Sequence, residues 1–193
     1  MTFGVTMIDK LKDFKIRAAT IKDAGALARV HVDVWRTTYA GVMPDELLKS
    51  LRYEDREQRW KENLAKTTNG YFVAKTVDGI IGFACGGAIR KPLNGFDCEL
   101  FAIYVLSDQQ GRGIGCSVAI ELIRWLVENK FKAMMLWVLE ENPSRKFYEA
   151  IGGKLLPEAK TEEFGGKVLT EVSYGWADLT AAIQELECKL KRG

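Results

Sequence analysis

The pattern of apolar residues in the first third of the chain predicts one strand followed by three helices. After Thr20 every third or fourth residue is apolar or aromatic, a spacing that places them on one face of a helix. These positions are Ile21, Ala24, Ala28, His31 and Trp35. Thr20 itself is a favoured N-cap residue. We therefore expect a strand over residues 14–19, a helix from Thr20 to about Arg36, and shorter helices after Pro44 and around Trp60.

Three segments in the middle of the chain are rich in β-branched and aromatic residues, the composition typical of strands. Residues 71–76 and 80–88 are separated by Val77-Asp78-Gly79. An Asp-Gly pair between two such segments is a strong hairpin signal. The third segment covers residues 99–106. The sequence thus predicts three antiparallel strands in a row.

The last part of the chain alternates helices and strands. One apolar run is nearly continuous, as expected of a strand covered on both faces, and another alternates strictly, as a half-buried strand does. The predicted elements are a helix over 113–130, the continuous strand over 132–139, a helix over 142–152, the alternating strand over 168–176 and a helix over 179–190. The Gly165-Gly166 turn precedes the alternating strand as part of a hairpin. Because no repeat or linker interrupts these elements, we expect one domain over residues 1–193 with a mixed α/β fold.

The charge balance argues against nucleic acid and membrane partners. Twenty-eight Lys and Arg residues face 26 Asp and Glu residues, and Lys189, Lys191 and Arg192 form the one cluster of like charges. A protein that binds the phosphate backbone usually carries a much stronger positive charge. No stretch of about 18 uncharged apolar residues occurs, so neither a membrane span nor a signal peptide is expected. We expect a soluble, cytoplasmic protein.

Cysteine and histidine usage does not favour a metal site. Cys85, Cys98, Cys116 and Cys188 are far apart in the sequence, and His31 is the only histidine. Neither a zinc site nor a disulfide framework fits this spacing. We expect reduced thiols and no bound metal.

The most informative segment is the turn at residues 106–116, between a predicted strand and a predicted helix. Its glycines let the backbone approach a ligand closely, and the free amides at a helix N-terminus attract phosphate groups. A Walker loop would need a lysine after Gly111 or Gly113, and none stands there. A dinucleotide fingerprint would need a third glycine where Cys116 stands. A tight turn without a ligand is the other alternative.

Several motifs follow this turn in a specific order. Gln110-x-x-Gly113-x-Gly115 follows a strand, Asn142 follows the next strand, and Phe147-Tyr148-Glu149 precedes Gly152-Gly153. This arrangement resembles the GNAT superfamily of acetyl-CoA-dependent N-acetyltransferases, and the similarity extends from the strand before Thr20 to the Gly165-Gly166 hairpin. The resemblance implies a mixed central sheet with two splayed parallel strands, flanked by helices. The segment from Trp35 to Pro44 also looks like family members that act on small molecules.

By this resemblance, acetyl-CoA is the cosubstrate and its pyrophosphate lies on the glycine-rich turn. The residues implied to hold the pyrophosphate through their backbone amides are Gln110, Gly111, Arg112, Gly113, Ile114, Gly115 and Cys116. Ile103, Tyr104 and Val105 would hydrogen-bond the pantetheine arm, and Asn142 would reach it from the far side. Cys116 stands where Ser, Lys or Arg is frequent in the family, so one side-chain contact to phosphate is missing while the backbone amides remain.

Two residues match catalytic positions of the family. Glu99 stands at the position of a general base, which the reaction needs because an amine with a pKa near 10.4 is almost fully protonated at pH 7. A relay through water serves other relatives, and an exposed carboxylate at a strand end is the structural alternative. Tyr148 matches the general acid that protonates the leaving thiolate. Its alternative is a core tyrosine with a satisfied hydroxyl.

The acceptor side is less defined by the sequence. Arg36 and Tyr39 follow the first helix and are candidates to line the acceptor pocket, with Arg36 pairing a substrate carboxylate or phosphate. A surface salt bridge is the alternative for Arg36. His31 is more typical of a packed core residue than of a catalytic one. The apolar stripe of the C-terminal helix either covers the sheet or meets a second subunit in a homodimer.

The leading prediction is an N-acetyltransferase that moves the acetyl group of acetyl-CoA to a primary amine of a small molecule or peptide by direct attack within a ternary complex. One alternative is a CoA-binding regulatory or sensor module without turnover. Another is a nucleotide-binding protein of the dinucleotide type. The presence of both Glu99 and Tyr148 favours the enzyme.

Overall fold

The computed structural model describes residues 13–192, which form a seven-stranded sheet with helices against both faces. The strands are β1 (Lys15–Ala18), β2 (Asn69–Lys75), β3 (Ile80–Leu93), β4 (Phe96–Val105), β5 (Met134–Leu139), β6 (Lys154–Phe164) and β7 (Lys167–Trp176). The helices are α1 (Ala24–Thr38), α2 (Asp45–Ser50), α3 (Tyr53–Leu64), α4 (Ile114–Glu128), α5 (Arg145–Ala150) and α6 (Leu179–Arg192). The expectations about the first twelve residues and about the side chains of Lys191 and Arg192 lie outside the described part.

The sheet contains one parallel pair of strands, and this pair separates partway along its length. The strand order is β1-β2-β3-β4-β5-β7-β6, and only β4 and β5 run parallel. They pair at Cys98 with Met134 and at Glu99 with Met135. Beyond Glu99, residues 100–105 keep β3 on one side and have no strand partner on the other within the described chain. The expected mixed α/β fold with splayed parallel strands is confirmed.

A β-bulge in β4 lies at the point where the strands separate. Leu100 pairs with Gly86 and Ala102 pairs with Cys85 of β3, so Phe101 is an extra residue on β4. A bulge bends the strand that carries it and increases its twist. We attribute the separation of β4 from β5 to this bend.

The two faces of the sheet are covered by different helices. Helix α4 packs on β2, β3 and β4, and α6 packs on α4. Leu179 and Leu186 of α6 are almost fully buried in the same apolar cluster as Leu122 of α4. Helices α1 and α3 cover the opposite face, where Leu27 packs in a second cluster with Phe83 of β3. The apolar stripe of the C-terminal helix therefore covers the core of this chain.

Strand β6 is the element that the sequence analysis did not delimit. Most of its side chains are exposed, it contains Pro157, and it lies at the edge of the sheet. An edge strand that buries few side chains carries no period-two apolar pattern. Its position depends on pairing with β7, from Phe164 opposite Lys167 to Lys154 opposite Gly175. Such pairing is a tertiary feature that the local sequence does not encode.

The start of α1 is stabilised by a buried carboxylate. Asp23 accepts two hydrogen bonds from the Arg17 guanidinium, each 2.7 Å long, and one from the Thr20 backbone amide at 2.8 Å. These donors, Arg17 first, lower the pKa of Asp23 to about 2. Because the charged form is favoured in the folded state, this stabilisation is complete above pH about 4 and is lost as the pH falls through about 2.

Replacing Asp23 with asparagine is expected to lower the free energy of unfolding by about 2 kcal/mol at pH 7, the scale of the pKa shift. Urea unfolding at pH 7 and at pH 2 measures the difference. The gap between Asp23→Asn and the parent protein should become much smaller at the lower pH, where the carboxyl of the parent is about half protonated. A gap of equal size at both pH values would contradict the assignment.

Candidate active site

Two cavities open where β4 and β5 separate, and they meet at two residues. The α4 cavity, beside the N-terminus of α4, has a volume of about 340 Å³. The sheet cavity, between the sheet and α1, has a volume of about 400 Å³. Ile103 and Tyr148 line both of them. Both volumes lie in the range of small-molecule sites, so two molecules can approach each other at Ile103 and Tyr148.

The wall of the α4 cavity is built from the predicted glycine-rich turn. Gly111 and Gly113 have φ angles of +76° and +75°, in the left-handed region that favours glycine. Gly113 is also the N-cap residue of α4. The backbone amides of residues 111–115 donate no hydrogen bond to any described residue. The turn therefore presents unpaired N–H donors together with the positive end of the α4 dipole.

The structure brings all but one of the predicted turn residues to this cavity. The exception is Arg112, whose guanidinium donates to Gln109 and Asp13 and does not line the cavity. Gln110 does line it, and its side-chain amide donates to the Val105 carbonyl at 3.1 Å, which ties the turn to the end of β4. Ser144, the N-cap residue of α5, and Phe147 of α5 also line this cavity. The sequence analysis had not singled them out as site residues.

The three predicted residues of β4 are distributed over both cavities. Tyr104 lines the sheet cavity, Val105 lines the α4 cavity, and Ile103 lines both. The Tyr104 hydroxyl accepts a hydrogen bond of 2.9 Å from the indole nitrogen of Trp35.

Tyr148 lies at the junction of the two cavities. Its side chain is largely buried, and its hydroxyl forms no hydrogen bond with any residue in 13–192. Burial raises the pKa of Tyr148 well above its ordinary value, and Tyr39 raises it further. The phenol is thus protonated at neutral pH and available as a donor.

Asn142 and Tyr39 form one wall of the sheet cavity together. The Asn142 amide nitrogen donates to the Tyr39 hydroxyl at 3.1 Å, and its oxygen accepts from the Ser144 backbone amide at 2.8 Å. Burial raises the pKa of Tyr39 to about 12. One N–H of Asn142 remains for a further acceptor, because a side-chain amide has two.

Glu99 lies at the vertex of the two separating strands, where Arg90 of β3 holds it. The carboxylate accepts hydrogen bonds from the Arg90 backbone amide (3.2 Å), from its Nε (3.0 Å) and from its Nη2. These bonds occupy three of roughly four acceptor positions of a carboxylate. The hydrogen bond to Glu99 raises the pKa of Arg90, whose guanidinium lies 4.9 Å from the ring centre of Phe101.

A second ion pair lies on the other side of the sheet cavity. Lys160 of β6 is 2.9 Å from Glu171 of β7 and 3.7 Å from Glu162. Its ammonium is 4.6 Å from the ring centre of Trp137. The sequence analysis missed these charges and Arg90, because they come from strands whose relative register cannot be read from one sequence.

Arg36 is placed away from both cavities. Its guanidinium donates to the Leu51 carbonyl at 2.6 Å and to the Leu48 carbonyl at 3.3 Å, and it contacts the ring and hydroxyl of Tyr53. It therefore ties the end of α1 to the chain around α2 and α3. These contacts use three of its five N–H donors, and Arg36 lines neither cavity.

His31 is packed in the core behind the sheet cavity. It stacks on Trp35 at 5.3 Å and meets Tyr104 edge-on at 5.1 Å. Burial lowers the pKa of His31 to about 3, and Arg56 and Arg59 lower it further. Its ring nitrogens have no hydrogen-bond partner among the described residues. His31 is therefore neutral at pH 7 and does not line either cavity.

Comparison with known proteins relates this chain to N-acetyltransferases. A sequence model of the acetyltransferase (GNAT) family matches residues 32–152. The chain is 40% identical over 167 residues to the Bacillus subtilis protein named "Uncharacterized N-acetyltransferase YuaI", a match that covers 86% of this chain and 94% of that one.

Solved structures share the fold. Ribosomal-protein-alanine N-acetyltransferase from Brucella melitensis is similar with a TM-score of 0.66 at 25% identity, over 84% of this chain and 98% of that one. PaiA N-acetyltransferase from Thermoplasma acidophilum, solved with coenzyme A, is similar with a TM-score of 0.62 at 20% identity, over 82% of this chain and 97% of that one.

Two kinds of feature are absent from residues 13–192. No group of three or more His, Cys, Asp or Glu side chains is arranged there to hold a metal ion. None of the described helices has both the length and the apolar character of a membrane span.

Proposed function

The chain belongs to the acetyltransferase (GNAT) family, and we propose that it moves the acetyl group of acetyl-CoA to the amine of a small molecule by direct attack within a ternary complex. It is therefore an acyltransferase. The observation that carries the proposal is the meeting of the α4 cavity and the sheet cavity at Ile103 and Tyr148. A ternary complex needs two substrates to touch at one point, and this junction provides it.

The residues of the α4 cavity fit coenzyme A. The unpaired amides of residues 111–115 and the N-terminus of α4 match the charge of a pyrophosphate. The free edge of β4 around Ile103 to Val105 offers hydrogen bonds to the amides of the pantetheine arm. Asn142, which lines the adjoining sheet cavity, offers one more N–H. The coenzyme A bound to the Thermoplasma relative supports this choice of donor.

The acceptor amine enters through the sheet cavity and must lose a proton before it attacks. At a pKa near 10.4, the neutral form is scarce at pH 7, a cost of about 4 to 5 kcal/mol. The enclosure of Glu99 by Arg90 weakens the prediction that Glu99 is the base. We infer instead that water in the sheet cavity accepts the proton of the protonated amine. The role that we assign to Glu99 is to position Arg90.

Tyr148 stabilises the sulfur as it leaves. Because the pKa of Tyr148 lies above the value of about 8.5 for a thiol, complete transfer of its proton to the thiolate is uphill. The hydroxyl therefore acts as a hydrogen-bond donor while the sulfur takes up the electron pair of the broken bond. A proton from the attacking nitrogen ends on the sulfur, so amine and thioester become amide and free thiol.

Calorimetry and a thiol-release assay test the proposal together. We expect acetyl-CoA to bind, NADH not to bind, and free thiol to appear only when an amine is added. Binding of NADH without binding of acetyl-CoA would overturn the choice of donor. Binding of acetyl-CoA without thiol release for any amine in a broad panel would identify a non-catalytic CoA-binding module.

A further inference from the structure

Arg90 uses only one edge of its guanidinium to hold Glu99. A guanidinium carries five N–H groups in a planar fork. Glu99 accepts from Nε and from Nη2, while Nη1 has no acceptor among the described residues. The edge formed by Nη1 and the second hydrogen of Nη2 is therefore unoccupied. This edge has the geometry that binds a carboxylate through two parallel hydrogen bonds.

The unoccupied edge of Arg90 is accessible to solvent. The Arg90 side chain is 62% exposed, whereas that of Glu99 is only 3% exposed. The carboxylate is thus covered by the guanidinium, and Arg90 lines the sheet cavity. Stacking on Phe101 and pairing with Glu99 hold the guanidinium in place. A ligand in the sheet cavity meets an ordered cation at this point.

The remaining charges of the sheet cavity disfavour a polycationic acceptor. Its charged lining residues are Arg90, Lys91, Lys160, Glu99, Glu162 and Glu171. Each acid lies within 4 Å of Arg90 or Lys160, so a polyamine finds no unpaired carboxylate. Lys91 has no ion pair among residues 13–192, so an anion finds both Arg90 and Lys91.

Resting on the proposed function, we propose that the outer edge of Arg90 binds the carboxylate of the acceptor, so that the substrate is a small amino acid and not a polyamine. Arg90 stacks on Phe101, two residues before Ile103, which is roughly 7 Å along a strand. A hydrogen bond of about 2.9 Å from Arg90, added to the roughly 3 to 4 Å between the carboxylate and the amine of an α-amino acid, spans this distance. The acceptor carboxylate can thus contact Arg90 while its amine reaches the junction at Ile103 and Tyr148.

Paired acceptors test the proposal. Thiol release from acetyl-CoA is measured with a panel of common amino acids, with their carboxamides, with putrescine and with aminomethylphosphonate. The carboxamide removes only the carboxylate charge. A nearby carboxylate favours the protonated form of an amine. At the same pH, a carboxamide therefore offers more neutral amine than the corresponding amino acid. A preference of the enzyme for amino acids thus cannot come from a larger fraction of neutral amine. We expect kcat/KM at least tenfold higher for the best amino acid than for its carboxamide.

The variant Arg90→Lys tests the outer edge of the guanidinium separately from the charge that faces Glu99. Lysine retains the charge beside Glu99 but lacks the second planar edge. We expect KM for the preferred amino acid to rise about tenfold, while KM for carboxamides and acetyl-CoA affinity stay unchanged. Arg52→Lys is the matched control, because Arg52 forms an exposed ion pair with Glu54 away from both cavities. It should leave every parameter at the parent value.

Glu99→Gln provides a second variant with a pH readout. If Glu99 positions Arg90, the loss of kcat/KM for amino acids is equal from pH 7 to pH 9.5. A loss that shrinks as free amine accumulates would instead identify Glu99 as the base. That result would overturn the positioning role.

The outcomes distinguish this proposal from the proposed function. Carboxamides or putrescine turned over as fast as amino acids would overturn the carboxylate site and leave the acetyltransferase intact. A faster rate with aminomethylphosphonate than with glycine would show that the site prefers a phosphonate, and this would overturn the assignment to a carboxylate. If no amine is acetylated, the proposed function fails, and calorimetry on the CoA-saturated protein decides the site. N-acetylglycine should then bind more tightly than N-acetylglycinamide, and equal affinities would overturn the site.

Discussion

Replacing Tyr148 with phenylalanine is expected to lower kcat by roughly 100-fold while the affinity for acetyl-CoA changes little. In the proposed mechanism the hydroxyl donates to the sulfur as negative charge develops there, so its loss should affect the transition state and not the bound ground state. Burial and Tyr39 shift its pKa, with no hydrogen bond to a residue in 13–192 among the causes, so its removal should also leave the melting temperature nearly unchanged. Steady-state kinetics, calorimetry and thermal unfolding measure the three quantities.

Tyr174→Phe is the matched control for this experiment. Tyr174 is fully buried, donates to Glu149 at 2.7 Å and accepts from Arg145 at 3.2 Å, and lines neither cavity. The same chemical change should therefore lower stability by about 1 kcal/mol and leave kcat alone. A rate for Tyr148→Phe within twofold of the parent would return Tyr148 to a packing role.

Elements that bury a regular apolar stripe were predictable from the sequence, and the others were not. The spacing of residues 21–35 predicted α1, and the continuous run at 134–139 predicted β5, because burial on one or both faces leaves a periodic pattern. Strand β6 buries almost nothing and is held by hydrogen bonds to β7. Backbone pairing is independent of side-chain identity, so the sequence did not reveal its bounds.

The same distinction applies to the site. The turn at residues 106–116 was recognisable because the function proposed for it depends on local backbone geometry, which the spacing of its glycines indicates. The acceptor side depends on distant residues. Arg36 and Arg90 are the same residue type, and the sequence alone does not distinguish their roles. In the structure, Arg36 donates to the carbonyls of Leu48 and Leu51, whereas Arg90 donates to Glu99. The register of β3 on β4 decides between them, and no local pattern encodes it.

Replacing Gly113 with valine is expected to weaken acetyl-CoA binding at least tenfold, which corresponds to about 1.4 kcal/mol. Gly113 has a φ of +75°, and a β-branched residue held there costs on the order of 1 to 2 kcal/mol. A Cβ at this position would meet only Leu190, at an ordinary 3.6 Å, so backbone strain and not crowding is the cause. The backbone relieves the strain by rotating, and this turns the unpaired amides of residues 111–115 away from the pyrophosphate.

Gly95→Val separates this effect from general instability. Gly95 lies in the turn between β3 and β4 with a φ of +87°, a Cβ added to it would meet no atom within 4 Å, and it lines neither cavity. The two variants should lose similar stability, measured by thermal unfolding, because they suffer the same backbone strain. Only Gly113→Val should lose affinity in calorimetry with acetyl-CoA. Equal affinities for both variants would show that the turn does not hold the pyrophosphate. In that case, strain at Gly113 would have displaced the amides of the turn without weakening the binding of acetyl-CoA.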